Sequence, residues 1–278
     1  MSVTHETLVI YHDDCLDGLG SAWSAFCKLG NQPRYVPARH GDAIPDFEPG
    51  AIIYILDFSY SPQLLVELSA KAGQVILIDH HITALEQCDD FFNVNDLPEN
   101  LSLHFDMLRS GCVLTWQHFF SDQEPPQILL HIEDRDLWHF KLDGTREITM
   151  ALFERMPITF AEIGALDLAE LLAVGRIQLK QFSGMVQRLA KSAHSVSVAG
   201  NTGLAVNAPS FFSSDLGHVL AEKSGTFGMI YHYDGKKQQW GFSLRSIGDY
   251  DVGHLAVEFG GGGHKNAAGF GLDNNPFI

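Results

Sequence analysis

The chain predicts an α/β fold: an N-terminal domain on a mostly parallel sheet, a helical connector, and a smaller C-terminal α/β domain with a glycine-rich loop. Three observations carry this. Short apolar runs alternate with helix-like segments through the first half, the pattern of βα units around a parallel sheet. A strandless stretch with helical periodicity follows from about Arg146 to His194. After it come four strand-like runs around one helix, closed by Gly260-Gly261-Gly262-Gly263-His264.

In order, strands are expected at Thr7 to Tyr11, Ile52 to Leu56 and Val75 to Ile78, each apolar and each followed at once by acidic or histidine residues. Helices are expected at Leu19 to Leu29, at Pro62 to Ala72, where proline suits a first turn, at Gly111 to Phe120, and at Ile128 to Leu137. Leu171, Leu172, Ile177, Leu179, Phe182, Val186 and Leu189 form the amphipathic stripe of the connector. Beyond it, strands are expected at Val196 to Ala199, Leu204 to Val206, Phe227 to Tyr233 and Gln239 to Arg245, with a helix at Ser214 to Lys223 and a hairpin turn at Asp234-Gly235. The expected domains are residues 1–145, 146–194 and 195–278.

A chain of 278 residues, 45% hydrophobic, supports full cores of this kind. With 34 acidic against 18 basic residues, the net charge of −16 supplies little field to hold a long duplex. A short or small anionic partner suits it better. Cys15, Cys27, Cys88 and Cys112 show no paired spacing of a zinc site or disulfide scaffold, which fits a reducing compartment. The first residues do not read as a leader and no apolar run spans a bilayer, so a cytoplasmic protein without membrane contact is expected, a homodimer being possible.

Three parallel strands would deliver His12-Asp13-Asp14, Asp57 and Asp79-His80-His81 to one edge, where open α/β sheets bind ligands. A divalent metal on phosphate needs hard oxygen donors with some imidazole, and two metals need a carboxylate able to bridge them. Asp17, Asp57, His80 and Asp134 are the right types. The glycine run can bring backbone N–H groups against an anion with no side chain in the way. His264 and Lys265 could add charged contacts, though Lys265 also reads as a solvated surface residue. Ala267-Ala268-Gly269 reads as small residues for close helix packing. Arg109-Ser110 before a helix is a candidate anion contact, or Ser110 a plain helix cap. Phe58, Trp138 and Phe211 could stack a base but equally suit a core.

Taken together, His12-Asp13-Asp14-Cys15-Leu16-Asp17-Gly18, Leu56-Asp57-Phe58-Ser59, Asp79-His80-His81, Glu133-Asp134-Arg135-Asp136, Ser243-Leu244-Arg245-Ser246 and Gly260 through Gly269 resemble, in order, the DHH phosphoesterases with a DHH-associated (DHHA1) C-terminal domain. That family includes RecJ-type exonucleases, nanoRNA-degrading oligoribonucleases, cyclic-dinucleotide phosphodiesterases and manganese pyrophosphatases. The resemblance implies two Mn²⁺ ions, with Mg²⁺ an alternative. Asp57 would bridge them, Asp17, His80 and Asp134 would complete one shell, and His12 would serve the other. Asp79 would fix an imidazole or cap a helix. His81, Arg245 and Ser246 would face substrate, beside the candidate anion contacts read above from the residues themselves, Gly261, Gly262, Gly263, His264 and Arg109.

The implied activity is hydrolysis of phosphodiester bonds in short single-stranded oligonucleotides or small nucleotides by in-line attack of water. A cyclic-dinucleotide phosphodiesterase, nucleotide bisphosphate phosphatase or pyrophosphatase keeps the same metals. A non-catalytic nucleotide sensor would bind without cleaving. The chain departs from the family at Cys15, where many members carry aspartate. Cys15 could ligate as thiolate, Asp13 or Asp14 could replace it, one metal site could be weakened, or Cys15 could be a small buried residue. Asp134 and Asp136 diverge by about half a turn on a helix, so one of the two is expected to ligate, and Asp134 is the expected one.

Overall fold

The computed structural model describes residues 5–13 and 15–277. The chain divides into two compact units, one ending at Leu179 and one beginning at Lys180.

The first unit runs β1 (Thr7–His12), α1 (Leu16–Leu29), β2 (Arg34–Ala38), β3 (Ile52–Leu56), α2 (Pro62–Ser69), β4 (Gln74–Asp79), α3 (Ile82–Phe92), β5 (Leu101–Phe105), α4 (Gly111–Phe119), α5 (Gln127–Asp136), α6 (Thr145–Phe153) and α7 (Phe160–Gly164). Its five strands lie in the order β2-β1-β3-β4-β5, every neighbouring pair parallel. Leu8, Ile10, Ile53, Ile55, Val75 and Leu77 alternate onto one face and pack against Leu65 and Leu68 of α2. Val9, Leu56, Ile76 and Ile78 fill the other face. Burial on both faces is what makes these strands read as continuous apolar runs.

Two strands of this unit escaped the sequence reading for the same reason. β2 and β5 are the edges of the sheet, half-exposed and carrying polar residues, and β2 holds Pro37, which only an edge tolerates. α3 was also missed; only Ala84 and Cys88 of its eleven residues are buried, so its apolar stripe is thin.

The stretch expected as a connector is helical, but Ile148, Ala151, Leu152, Ile163 and Leu171 pack with Leu16, Trp23, Trp116 and Leu129 in the core of the first unit. The long α8 (Leu168–Leu189) then crosses the division between the units.

The second unit continues through β6 (His194–Val198), β7 (Asn201–Asn207), α9 (Ser213–Ser224), β8 (Phe227–Asp234), β9 (Gln239–Ser246), α10 (Val252–Val257), β10 (Gly262–His264) and β11 (Ala267–Leu272). Its sheet has the order β10-β11-β9-β8-β7-β6, mixed in direction because only β7 and β8 are parallel. Phe227, Met229, Phe242, Leu244 and Phe270 pack one face against Leu255 and Ala256 of α10. Among the described residues no helix is long and apolar enough to cross a membrane.

Candidate metal centre

An all-parallel sheet puts the carboxyl ends of its strands on one edge. β1 ends at His12, β3 hands the chain to Asp57, and β4 ends at Asp79 before His80 and His81. Asp17 joins them from the first turn of α1.

Asp57 lies between two groups of donors. Its Oδ1 is 3.1 Å from His80 Nε2 and its Oδ2 is 3.5 Å from His12 Nδ1, and the side chain is 1% exposed. The backbone is held in the left-handed region at φ 63, with the Asp57 N–H donated to the Ile78 carbonyl at 2.9 Å. A non-glycine residue there costs roughly 1–3 kcal/mol, a strain that concentrates at functional sites. Gly111 leaves room for this carboxylate: a Cβ on Gly111 would fall 2.6 Å from Asp57 Oδ1.

On one side of Asp57 stand His12 and Cys15, and beyond its other oxygen stand Asp17, His80 and Asp136. Within each group, His12–Cys15–Asp57 and Asp17–His80–Asp136, the donor atoms all lie within 4.8 Å of one another. Asp17 accepts the Gly111 and Cys112 N–H groups at 2.6 and 2.9 Å, so a carboxylate from α1 caps α4, where the helix dipole favours negative charge. Ser110 occupies the cap position of α4 without capping through its side chain; its Oγ is 3.2 Å from Cys112 Sγ.

The choice between Asp134 and Asp136 goes against the sequence expectation. Asp134 accepts the N–H groups of Lys141 and Leu142 at 2.8 and 3.0 Å and the Thr145 hydroxyl at 2.6 Å, which ties it to the loop after α5. Asp136, on the opposite side of the helix end, places Oδ2 3.6 Å from His80 Nε2. Asp13 is likewise engaged elsewhere, accepting the Arg39 guanidinium at 2.9 Å, and Asp14 lies outside the described residues.

Asp79 does not face the pooled donors as a free ligand. Its Oδ1 meets His81 Nδ1 at 2.7 Å and accepts the His80 N–H, while Oδ2 accepts the Ser59 hydroxyl at 2.6 Å. Burial opposes protonation of His81, but the Asp79 charge outweighs it and raises the imidazole above its usual value. For Asp57 burial opposes ionisation, yet His12 and His80 beside it hold the carboxyl well below the usual range. Asp17 moves the other way, pushed up by burial and by Asp57 and Asp136. Burial also resists charge on His80, but the Asp57 contact and the charges of Asp136 and Asp17 carry it up to about 11.

These donors fit divalent cations. Asp57 Oδ2 and His12 Nδ1 are buried polar atoms without a hydrogen-bond partner among the described residues, facing each other 3.5 Å apart. Such orphans cost free energy unless a ligand satisfies them. Three carboxylates crowded around one imidazole repel one another, and a cation relieves that repulsion.

Within the second unit the glycine run is not an open anion cradle. The Gly260 and Gly261 N–H groups go to the Val257 and Ala256 carbonyls behind α10, and Gly262–His264 pair with Ala267–Gly269 as a hairpin. A Cβ on Gly261 would lie 2.0 Å from the Gly269 carbonyl oxygen, so close strand packing demands glycine there. Ala267 to Gly269, expected against a helix, belong to β11. Lys265 is exposed and pairs with Asp249 at 2.8 Å.

Arg245 donates to Ser214 Oγ at 3.1 Å and to the Leu244 carbonyl at 2.8 Å. Ser246, expected at substrate, is buried instead: its hydroxyl donates to the Tyr250 carbonyl at 2.6 Å and accepts from Asn266 at 2.9 Å. In the first unit, Arg109 is exposed and pairs with Glu133 at 3.2 Å. Phe58 is fully buried beside His12. Trp138 lies under the guanidinium groups of Arg135 and Arg146.

Sequence reasoning missed His40. It is exposed just past the end of β2, its ring centroid 5.6 Å from that of His12 and 6.2 Å from that of His81. The strand-end argument that found Asp57 would have found it, had Pro37 not concealed the strand.

A parallel sheet pooling two donor groups around one aspartate, followed by a mixed-sheet unit, defines a two-unit α/β protein with a candidate dinuclear metal centre. Residues 210–277 match the DHHA1 domain, and the chain carries that domain in its second unit. An uncharacterized protein, R106, of Acanthamoeba polyphaga mimivirus is 32% identical over 289 residues, covering 94% of this chain. The chain spans 66% of that relative's length. A pGpG-specific phosphodiesterase, PggH of Vibrio cholerae, superposes with a TM-score of 0.42 at 16% identity, over 96% of this chain and 93% of its own.

Proposed function

We propose that the chain is a divalent-metal-dependent phosphoesterase that hydrolyses phosphodiester bonds of short single-stranded oligonucleotides or small nucleotides, with Mn²⁺ or Mg²⁺ in at least one of its metal positions. The observation that carries this reading is Asp57, a buried carboxylate held in a strained backbone with one oxygen toward each donor group. His12, Cys15 and Asp57 would hold one ion, and Asp17, His80 and Asp136 with Asp57 the other. Such ions, when bound, stabilise charge on phosphate oxygens and lower the pKa of water at neutral pH.

The protein's own groups then supply orientation. Asp79 takes the Nδ1 side of His81 and fixes the orientation of the ring, and His81 is the proposed donor to a phosphate oxygen or to the leaving group. His40, exposed next to His12 and His81, is suited to a second contact of this kind. Arg245 remains the proposed phosphate contact of the second unit, a role for which a planar guanidinium is better suited than lysine. The net charge of −16 is consistent with a substrate held by bound cations and a few arginines rather than by a basic surface.

The test is incubation of Mn²⁺-loaded protein with pGpG, longer oligonucleotides, cyclic dinucleotides, a nucleoside bisphosphate and pyrophosphate, followed by product identification. Mononucleotide release from linear substrates is expected, abolished in Asp57→Asn. A protein that binds the metal and these nucleotides yet cleaves none would overturn the reading in favour of a sensor.

A further inference from the structure

Resting on the dinuclear reading, we propose that the two metal positions are chemically unlike: Cys15 ligates through its sulfur, so the His12–Cys15–Asp57 position takes a thiophilic ion such as Fe²⁺, Co²⁺ or Zn²⁺, while the Asp17–His80–Asp136 position takes Mn²⁺ or Mg²⁺. Cys15 sits at the N-cap of α1 with an extended backbone, φ −125 and ψ 137. From there its Sγ lies within 4.8 Å of a His12 ring nitrogen and an Asp57 oxygen. The sulfur is not alone in pointing to a ligand. Asp57 Oδ2, on a side chain 1% exposed, and His12 Nδ1 are both without a hydrogen-bond partner among the described residues, and they face the same space. Asp13, a neighbour that could have stood in for the thiol, is paired with Arg39.

Nitrogen, sulfur and oxygen around one position make a borderline-soft set, whereas three carboxylates and an imidazole make a hard one. Soft donors select Fe²⁺, Co²⁺ and Zn²⁺, and carboxylates suit Mn²⁺ and Mg²⁺. As the sulfur–metal bond forms, the thiol proton leaves to solvent and no electrons change hands. Asp57 belongs to both positions and ties their occupancy together. The remaining buried thiol close to this region, Cys112, is committed elsewhere: its Sγ lies 3.7 Å from the Leu129 carbonyl and 3.2 Å from Ser110 Oγ.

The test is an anaerobic Co²⁺ titration of the metal-free protein, read by absorbance and by bound-metal stoichiometry. Expected are two Co²⁺ per chain and a near-ultraviolet sulfur-to-cobalt charge-transfer band from one of them. The band should vanish in Cys15→Ser and in Cys15→Asp and persist in Cys112→Ala. In competition, Cys15→Asp should narrow the preference for Zn²⁺ over Mn²⁺ at this position by about tenfold or more, the scale on which even outer partners of a metal site act. Binding of Co²⁺ without the band, or a band that survives Cys15→Ser, overturns the sulfur ligation and leaves the dinuclear reading intact. No Co²⁺ or Mn²⁺ bound at all removes both.

Discussion

Replacing Gly111 by alanine should separate the site from the fold. A methyl group there would sit 2.6 Å from Asp57 Oδ1 and 2.7 Å from Asp57 Cβ, closer than such atoms pack, so one partner must move. The Gly111 backbone is pinned by its N–H bond to Asp17 at 2.6 Å, and Asp57 is pinned by its bond to Ile78. The softest coordinate is the Asp57 side-chain torsion. Overpacking costs about 1–3 kcal/mol. Gly111 opens α4, and alanine in place of glycine in a helix returns up to about 1 kcal/mol. A net loss of about 0–2 kcal/mol is expected, within what a folded domain of this size tolerates. Displacing the shared carboxylate by about 1 Å should cost much more in rate, on the order of 10²-fold in kcat/KM. Urea unfolding of the metal-free protein and Mn²⁺-dependent turnover measure the two effects. A Gly111→Ala protein with activity within about threefold of the parent would refute the claim that this contact positions Asp57.

Three further outcomes concern the groups around His80. Asp136→Asn should weaken metal binding at the His80 position while leaving the metal-free protein as stable as the parent. Asp134→Ala should retain metal but lose about 1–3 kcal/mol of stability, because two N–H groups and a hydroxyl lose their acceptor; calorimetry and metal analysis decide, and the reverse pattern would restore Asp134 as the ligand. Burial disfavours charge on His80, but Asp57 and the other carboxylates raise it to about 11, so it is protonated at neutral pH when no metal is bound. A metal needs the neutral imidazole, so the ion entering the Asp17–His80–Asp136 position displaces that proton and its affinity rises with pH up to about 11, roughly tenfold per unit for the one proton released. Titration calorimetry in buffers of different ionisation enthalpy should find at least about one proton released at pH 7; none released would contradict protonated His80.

The interior strands β1, β3 and β4 were readable because both faces are buried and side chains alternate between two apolar environments, so sequence and structure share one period. Asp57, His80 and His12 followed, since a polar residue after such a strand has one edge to occupy. The edge strands β2 and β5 were not readable, because half their surface faces water and tolerates Pro37 or His104. The glycine run was legible as a constraint, but its cause was not. Gly261 is required by the carbonyl of Gly269, and a hairpin packed this tightly looks the same in sequence as an anion loop.

Residue types, their order along the chain and the pooling of donors at strand ends were determined by the sequence itself, because apolar periodicity is a local property. Which of Asp134 and Asp136 turns toward His80 was decided only in three dimensions, where the loop at Lys141 to Thr145 claims the first and leaves the second. The same holds for Asp57, whose strained backbone and open space beside Gly111 arise from segments more than fifty positions apart that meet only once the chain has folded.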